Sequence, residues 1–170
     1  MALALTMTVR ARPGKHKLKP IPKSECGAPS GSHNDSCIDG SKPVYYKAKT
    51  AYAVAQPGDV ASMQKEIMEH GPIEVAFYVY GDFESYKGGI YKRSKKDDAP
   101  EGGHAVKCVG WGEGPETDTE TGAPIKYWLI ANSWSPAWGE KGFFRIERGT
   151  NECGIETQPA AGLVDTAALR

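Results

Sequence analysis

The sequence predicts an α+β fold in which strands outnumber helices. The chain of 170 residues contains 20 Gly, 12 Pro and 8 Tyr, a composition typical of a loop-rich chain with strands rather than a helical bundle. Apolar residues follow a helical spacing in one short segment, and they alternate or cluster in several others. Such a length suits one domain of ordinary size, which buries roughly 68–70% of its unfolded surface.

The first structured element is predicted to be a helix. Residues 1–43 are rich in Pro, Gly, Ser and Lys without a sustained apolar period, so we expect a loop-rich, poorly ordered segment there. From Val44 the pattern changes, and Gly58-Asp59 leads into a short helix that ends at Gly71-Pro72. Its apolar face is predicted to comprise Val60, Met63, Ile67 and Met68.

Strands are predicted for most of the remaining chain. Residues 73–80 alternate and are rich in β-branched and aromatic side chains, and residues 89–91 are expected to begin another strand. Residues 104–111 and 125–134 are predicted to form a hairpin across an acidic loop at 114–122. Residues 142–147 supply a further strand whose Phe143, Phe144 and Ile146 are available to fill the core.

Charge and hydropathy exclude several classes of partner. Lys and Arg together number 21, as do Asp and Glu, so no net field attracts nucleic acid. No apolar run approaches the ~20 residues needed to cross a bilayer, so we expect no membrane insertion. Residues 1–9 form a poor secretory signal, because the basic residues follow the apolar stretch instead of preceding it.

The four cysteines favour a local disulfide over a metal site. Cys26 and Cys37 flank a loop rich in Gly, Ser, Asn and Asp that closes easily, so we expect these two residues to pair. The cysteines contain no CxxC spacing, and a zinc site on Cys26 and Cys37 would need irregular geometry. We therefore expect neither a metal nor another cofactor.

A set of short motifs carries the functional signal. Gly102-Gly103-His104-Ala105 is followed, 28 residues after the His, by Asn132-Ser133-Trp134 and then by Trp138-Gly139. The tail contains Arg148-Gly149 and Cys153-Gly154-Ile155-Glu156. Together these motifs resemble the papain-like cysteine proteinases. His70-Gly71-Pro72 and Tyr80-Gly81-Asp82-Phe83 are similar to the cathepsin B branch of that family.

This resemblance implies a fold and a division of the chain. Residues 44–163 would form the C-terminal half-domain of the papain-like fold, a β-rich, antiparallel, barrel-like half with one or two short helices, and residues 164–170 would be a tail. In that family the half with the nucleophilic Cys packs against this half, and the substrate cleft lies between them.

The resemblance also implies residue roles. His104 would be the general base and Asn132 the amide that orients its ring, because a thiol of pKa ~8.5 attacks peptides poorly without an adjacent imidazole. Trp134 and Trp138 would support this pair, with Trp134 shielding it from water. Ala105 and Gln158 match positions that line the pocket for the substrate residue two before the scissile bond, and the resemblance also implies that Gly103 binds substrate. Gln158 stands where mammalian cathepsin B has an acidic residue, so Arg should be accepted poorly there.

Two parts of the catalytic machinery are not recognised in the sequence. Papain-like nucleophiles lie ~130–150 residues upstream of the His, in a Cys-Gly-Ser/Ala-Cys-Trp/Tyr context. Only 103 residues precede His104, and neither Cys26 nor Cys37 has that context. No Gln precedes Gln56 to form the oxyanion hole. We therefore expect no proteolysis by this chain alone.

Two functional hypotheses remain open. The first is a cysteine-type peptidase that is incomplete in this sequence and whose full-length form, with a Cys-bearing half, hydrolyses peptide or protein substrates through Cys, His and Asn and binds proteinaceous inhibitors. The second is a non-catalytic, proteinase-like binding protein that retains the cleft wall. The family resemblance implies a lysosomal, vacuolar or extracellular location.

Overall fold

The computed structural model describes residues 48–94 and 98–164. The chain divides into two compact units, Met1–Thr50 with Leu163–Arg170, and Ala51–Gly162. In the described part of the first unit, Ala48 pairs with Val164 in an antiparallel bridge and Lys49 N donates to Leu163 O at 2.7 Å. The predicted domain boundaries after residues 43 and 163 stay predictions. Cys26 and Cys37 lie outside the described residues, so their pairing also stays a prediction.

The second unit contains one mixed sheet and two helices within the described residues. The sheet order is β1-β7-β2-β4-β5-β6-β3. The elements in chain order are β1 (Tyr52–Ala53), α1 (Val60–His70), β2 (Ile73–Val79), α2 (Gly81–Glu84), β3 (Ile90–Tyr91), β4 (Gly102–Thr117), β5 (Pro124–Ala131), β6 (Phe143–Glu147), a 3₁₀ turn (Glu152–Gly154) and β7 (Ala160–Ala161).

Helix α1 begins and ends where the sequence predicts. Asp59 caps its first turn by accepting from the backbone N–H of Ser62 at 3.1 Å and from the Ser62 hydroxyl at 2.6 Å. Met63 is fully buried, whereas Met68 is 70% exposed, so its assignment to the apolar face is wrong. Five residues after Met63, a side chain lies ~140° around the helix from it and leaves the buried face.

The strands differ from the prediction at their ends and in one pairing. β4 continues to Thr117 because irregularities in its register with β5 accommodate the extra residues, so the turn is shorter than the predicted loop at 114–122. β5 ends at Ala131, not at Trp134. The Ser133 N–H donates to the Asn132 side chain at 2.7 Å, which turns the backbone out of the strand. β3 pairs with β6 in parallel, so the sheet is not wholly antiparallel.

The core lies against one face of β2, β4, β5 and β6. Phe144 and Ile146 are fully buried, but Phe143 is 39% exposed, because alternate residues of a strand face opposite ways. Its predicted place in the core is therefore wrong. Phe83 of α2 is fully buried at the centre of an aromatic cluster, with ring centroids 5.0 Å from Phe77 and 4.8 Å from Phe144.

None of the helices in the described ranges is long and apolar enough to span a membrane.

Candidate active site

His104 lies on β4 beside the core. It is directly opposite Phe77 of β2 in the antiparallel register, and the two ring centroids are 5.9 Å apart. Its side chain is half-buried. The strand pairing, rather than a loop, therefore positions this imidazole.

Asn132 is placed next to His104 by the end of β5. Its Oδ1 lies 2.9 Å from His104 Nε2 and accepts from the backbone N–H of Ser133 at 2.7 Å. The backbone N–H can only donate, so it fixes Oδ1 as the oxygen that faces the ring. His104 Nε2 must then carry the proton, which leaves Nδ1 as the basic nitrogen of the neutral imidazole. Asn132 Nδ2 is buried and has no hydrogen-bond partner among residues 48–94 and 98–164.

Two tryptophans flank this pair. The Trp134 ring stacks on His104 with centroids 5.4 Å apart and planes at 24°, and it is 40% exposed. Trp138 packs edge-on against Trp134 at 5.0 Å, and its Nε1 donates to the Glu84 carbonyl at 2.9 Å. Both tryptophans also contact Phe83, so the aromatic core holds the ring that covers His104.

The turn between β5 and β6 explains why the Trp138-Gly139 motif contains a glycine. Gly139 has a φ of 57°, and a Cβ there would lie 2.7 Å from the Phe143 carbonyl oxygen. The turn is closed by Glu140 N donating to Phe143 O at 2.9 Å and by Asn132 N donating to Gly142 O at 2.9 Å. A glycine at position 139 is therefore required by a close backbone approach, and the turn ties Trp138 to Asn132.

A cavity of about 210 Å³ is lined in part by Gly103, the residue that precedes His104 on β4. We call it the Gln158 cavity. It is lined by residues 76–78 of β2, Gly103 of β4, and Gly154, Thr157 and Gln158. Of the three residues predicted to bind substrate, Gly103 and Gln158 line it. Ala105, two residues after Gly103 on β4, does not line the cavity; it pairs across the sheet with Ala76.

The loop that carries Gln158 is anchored by a carboxylate that sequence reasoning missed. Glu156 is 1% exposed, and its Oε1 accepts from Trp128 Nε1 at 2.8 Å and from Gly149 N at 2.7 Å. Its Oε2 accepts from Asn151 N at 3.0 Å. A buried charge is tolerated where hydrogen bonds satisfy it. Only its place in the tail motif could have signalled this role.

The described cysteines are not nucleophiles poised at His104. Cys108 is fully buried, donates to Gly110 O at 3.6 Å, and burial raises the pKa of its thiol to about 12. Burial and a hydrogen bond to Glu152 raise the pKa of Cys153 to about 12. Neither thiol is a ready thiolate at neutral pH. In the described ranges no cluster of three or more His, Cys, Asp or Glu side chains could hold a metal.

Comparison with known proteins shows the family to which the chain belongs. The profile of the papain family of cysteine proteases matches residues 16–163. The chain is 46% identical over 146 residues to cathepsin B-like cysteine proteinase 1 of Haemonchus contortus, covering 84% of this chain and 39% of that protein. It is 45% identical over 154 residues to a gut-specific cysteine proteinase of Caenorhabditis elegans, covering 85% of this chain and 43% of that one.

The fold agrees with the sequence relatives. Procathepsin B S9 of Trypanosoma congolense superposes with a TM-score of 0.65 at 36% identity, covering 87% of this chain and 47% of that structure. The chain thus spans less than half the length of each of these three proteins. It belongs to the papain family of cysteine proteases and is cathepsin B-like.

Proposed function

We propose that this chain supplies the base-bearing half of a cathepsin B-like cysteine peptidase, with His104 as the general base and Asn132 as its orienting residue. The observation that carries the proposal is the 2.9 Å contact between His104 Nε2 and Asn132 Oδ1 beneath the ring of Trp134. A fixed Nε2–H tautomer leaves Nδ1 free to take a proton from a thiol brought to the cleft.

The reaction would follow from that proton transfer. The thiol of the Cys-bearing half gives its proton to His104 Nδ1, and the resulting thiolate attacks the peptide carbonyl carbon. The imidazolium then protonates the leaving amine, which departs with the C-terminal part of the substrate. Water, deprotonated by the same nitrogen, hydrolyses the thioester and regenerates the thiol. Asn132 keeps the ring aligned throughout, and Trp134 excludes water from the Nε2 contact.

Reconstitution tests this proposal. The chain would be co-refolded with the Cys-bearing half of a cathepsin B-like relative, and hydrolysis of a fluorogenic dipeptide amide would be measured. Activity is expected from the mixture and from neither half alone. His104→Ala is expected to abolish it, while His70→Ala, which changes an exposed histidine on α1, serves as the matched control.

The outcome also separates the two hypotheses. A mixture that assembles, remains inactive and still binds a peptide would favour the non-catalytic binding protein. Genomic sequence upstream of Met1 gives an independent test, since an in-frame Gln and Cys-Gly-x-Cys-Trp segment is expected for the peptidase. An epoxide that captures active thiolates is expected to label the mixture but not the chain alone.

We further propose that the Gln158 cavity receives the substrate side chain two residues before the scissile bond. Gly103 and Gln158 line this cavity, and Gly103 immediately precedes His104 on β4. A neutral amide cannot neutralise a guanidinium, so Arg is expected to be a poor occupant and apolar residues good ones. Gln158→Glu should raise kcat/KM for an Arg substrate relative to a Phe substrate. An Arg preference in the unaltered protein would contradict the assignment.

The same relatives support a proposal for the cellular setting. One of them is described as gut-specific. We infer that the complete protein works in a lysosomal, vacuolar or extracellular compartment on peptide or protein substrates, and that it is open to proteinaceous inhibitors. Fractionation of cells that express the tagged complete protein tests the location, and recovery in the cytosol alone would contradict it.

A further inference from the structure

A second cavity adjoins the Gln158 cavity. It has a volume of about 370 Å³ and is lined by Tyr78, Tyr80, Arg93 and residues 150–154, and we call it the Arg93 cavity. The two cavities have only Tyr78 and Gly154 in common. These two residues therefore form the boundary between them.

Local geometry holds the Tyr78 ring at that boundary. Tyr78 lies on the outer face of β2, where its side chain is 56% exposed, and its partner across the sheet is Gly103, which has no side chain to compete for the space. On the other side, a Cβ built on Gly154 would be 3.6 Å from the Tyr78 ring. The ring thus rests against the backbone of the 3₁₀ turn, and Gly154 permits that approach.

The two cavities differ in chemistry. Ala76, on the same face of β2 as Tyr78, contributes an apolar side chain to the Gln158 cavity. In the Arg93 cavity the guanidinium of Arg93 lies 4.3 Å from the centroid of the Tyr80 ring. The Glu152 carboxylate accepts from Arg93 N at 3.0 Å and from Cys153 Sγ at 3.2 Å. A side chain that reached past Tyr78 would leave an apolar environment for a polar one.

We propose that Tyr78 is a specificity-determining residue whose ring closes the Gln158 cavity on the side of the Arg93 cavity and limits its occupant to the size of phenylalanine. A cavity of roughly 150 Å³ accommodates benzene, so about 210 Å³ suffices for a benzyl group, and the Tyr78 ring stands in the way of a second ring that extends toward the Arg93 cavity. Without the Tyr78 ring the two cavities would form one trough. The assignment of the occupant as a substrate side chain rests on the proposed function; the size limit does not.

Binding of small amides to the chain itself tests the proposal without catalysis. N-acetyl-phenylalanine amide and its biphenylalanine analogue would be titrated into the ¹⁵N-labelled chain and followed by NMR. In the unaltered chain the phenylalanine amide is expected to shift the amide signals of Gly103 and Gln158, and the biphenyl analogue to bind at least about tenfold more weakly. In Tyr78→Ala the difference should fall below about threefold, and the signals of Thr150 and Cys153 should move as well.

Controls keep the outcome unambiguous. Tyr78→Phe retains the ring and is expected to behave as the unaltered chain, and the dispersion of the amide signals reports directly whether each variant is folded. Tyr78→Ser provides a second opening variant. Equal binding of both amides to the unaltered chain, or no binding to any variant, would overturn the size limit. Failure of the reconstituted peptidase would overturn the proposed function and leave this result unaffected.

Discussion

At the scale of single residues, hydrogen bonding determines which nitrogen of His104 is basic. The Ser133 N–H fixes the Asn132 amide, the amide fixes the Nε2–H tautomer, and the Trp134 ring covers the contact. The proposed chemistry therefore depends on an amide that never touches the substrate.

Asn132→Ala is expected to lower kcat/KM of the reconstituted peptidase about a hundredfold, because a misplaced catalytic group costs on that order. Asn132→Gln is the matched control, because it keeps the amide group but carries it on a side chain that is one methylene longer. Steady-state kinetics with a dipeptide amide gives the measurement. An unchanged pH profile together with unchanged kcat/KM would show that Asn132 does not orient the base.

The described thiols are expected to resist alkylation in the folded chain. Burial raises the pKa of both thiols to about 12, so each holds far less thiolate at pH 7 than an ordinary exposed thiol does. Iodoacetamide followed by peptide mapping should therefore leave Cys108 and Cys153 unmodified at pH 7.5 and modify both in guanidinium chloride. Rapid labelling of Cys153 in the folded chain would contradict its raised pKa.

At the scale of elements, caps and turns determine where each segment stops. α1 begins at the Asp59 cap and ends at Gly71, while the turn between β5 and β6 depends on Gly139. Alternation along β2 separates the core residues from the outer face that carries Tyr78. The His104 site and the Gln158 cavity both include residues of β2 and β4.

Gly139→Ala is expected to destabilise the chain more than Gly58→Ala does. Both glycines have positive φ, 57° and 78°, so each substitution imposes about 1–2 kcal/mol of backbone strain. Only at position 139 would the new Cβ also meet a backbone oxygen, at 2.7 Å, whereas Gly58 has nothing within 4 Å. Urea unfolding of both variants measures the difference. Equal losses would show that the turn relaxes without cost.

The Asp59 cap should make α1 sensitive to acid. Hydrogen bonds from the Ser62 hydroxyl and backbone lower the pKa of Asp59 below its ordinary 3.8. The contribution of a carboxylate with a lowered pKa is present above the unfolded value and is lost as the pH falls through the folded one. The difference in Tm between the unaltered chain and Asp59→Asn should therefore shrink from pH 6 to pH 2. A difference independent of pH would contradict the cap.

At the scale of the whole molecule, the described half presents aromatic surface near the site. Trp134 and Phe143 are 40% and 39% exposed, respectively. We propose that the Cys-bearing half covers these two side chains.

The Cys-bearing half is expected to stabilise this chain even when its nucleophile is replaced by Ala. A ligand that binds only the folded state stabilises it by about 2.7 kcal/mol at a hundredfold excess over Kd. Thermal unfolding of the chain with and without the inactive half gives the measurement, with serum albumin as the control. No change in Tm would mean that assembly does not occur, independently of catalysis.

The sequence by itself determined the family, the α+β class, the span of α1 and the pairing of strands into a hairpin. These features rest on local periodicity, capping residues and short motifs, all of which are written in consecutive residues. The His104 and Asn132 motifs could be assigned roles by resemblance for the same reason.

Only the tertiary structure decided the rest. The exposure of Met68 and Phe143, the parallel pairing of β3 with β6, the burial of Glu156 and the position of Tyr78 between two cavities depend on which distant segments meet. Glu156, for instance, is buried because Trp128 and the backbone of residues 149 and 151 donate to it. Local pattern carries no information on such contacts, because burial and pairing belong to the packed chain and not to any single segment.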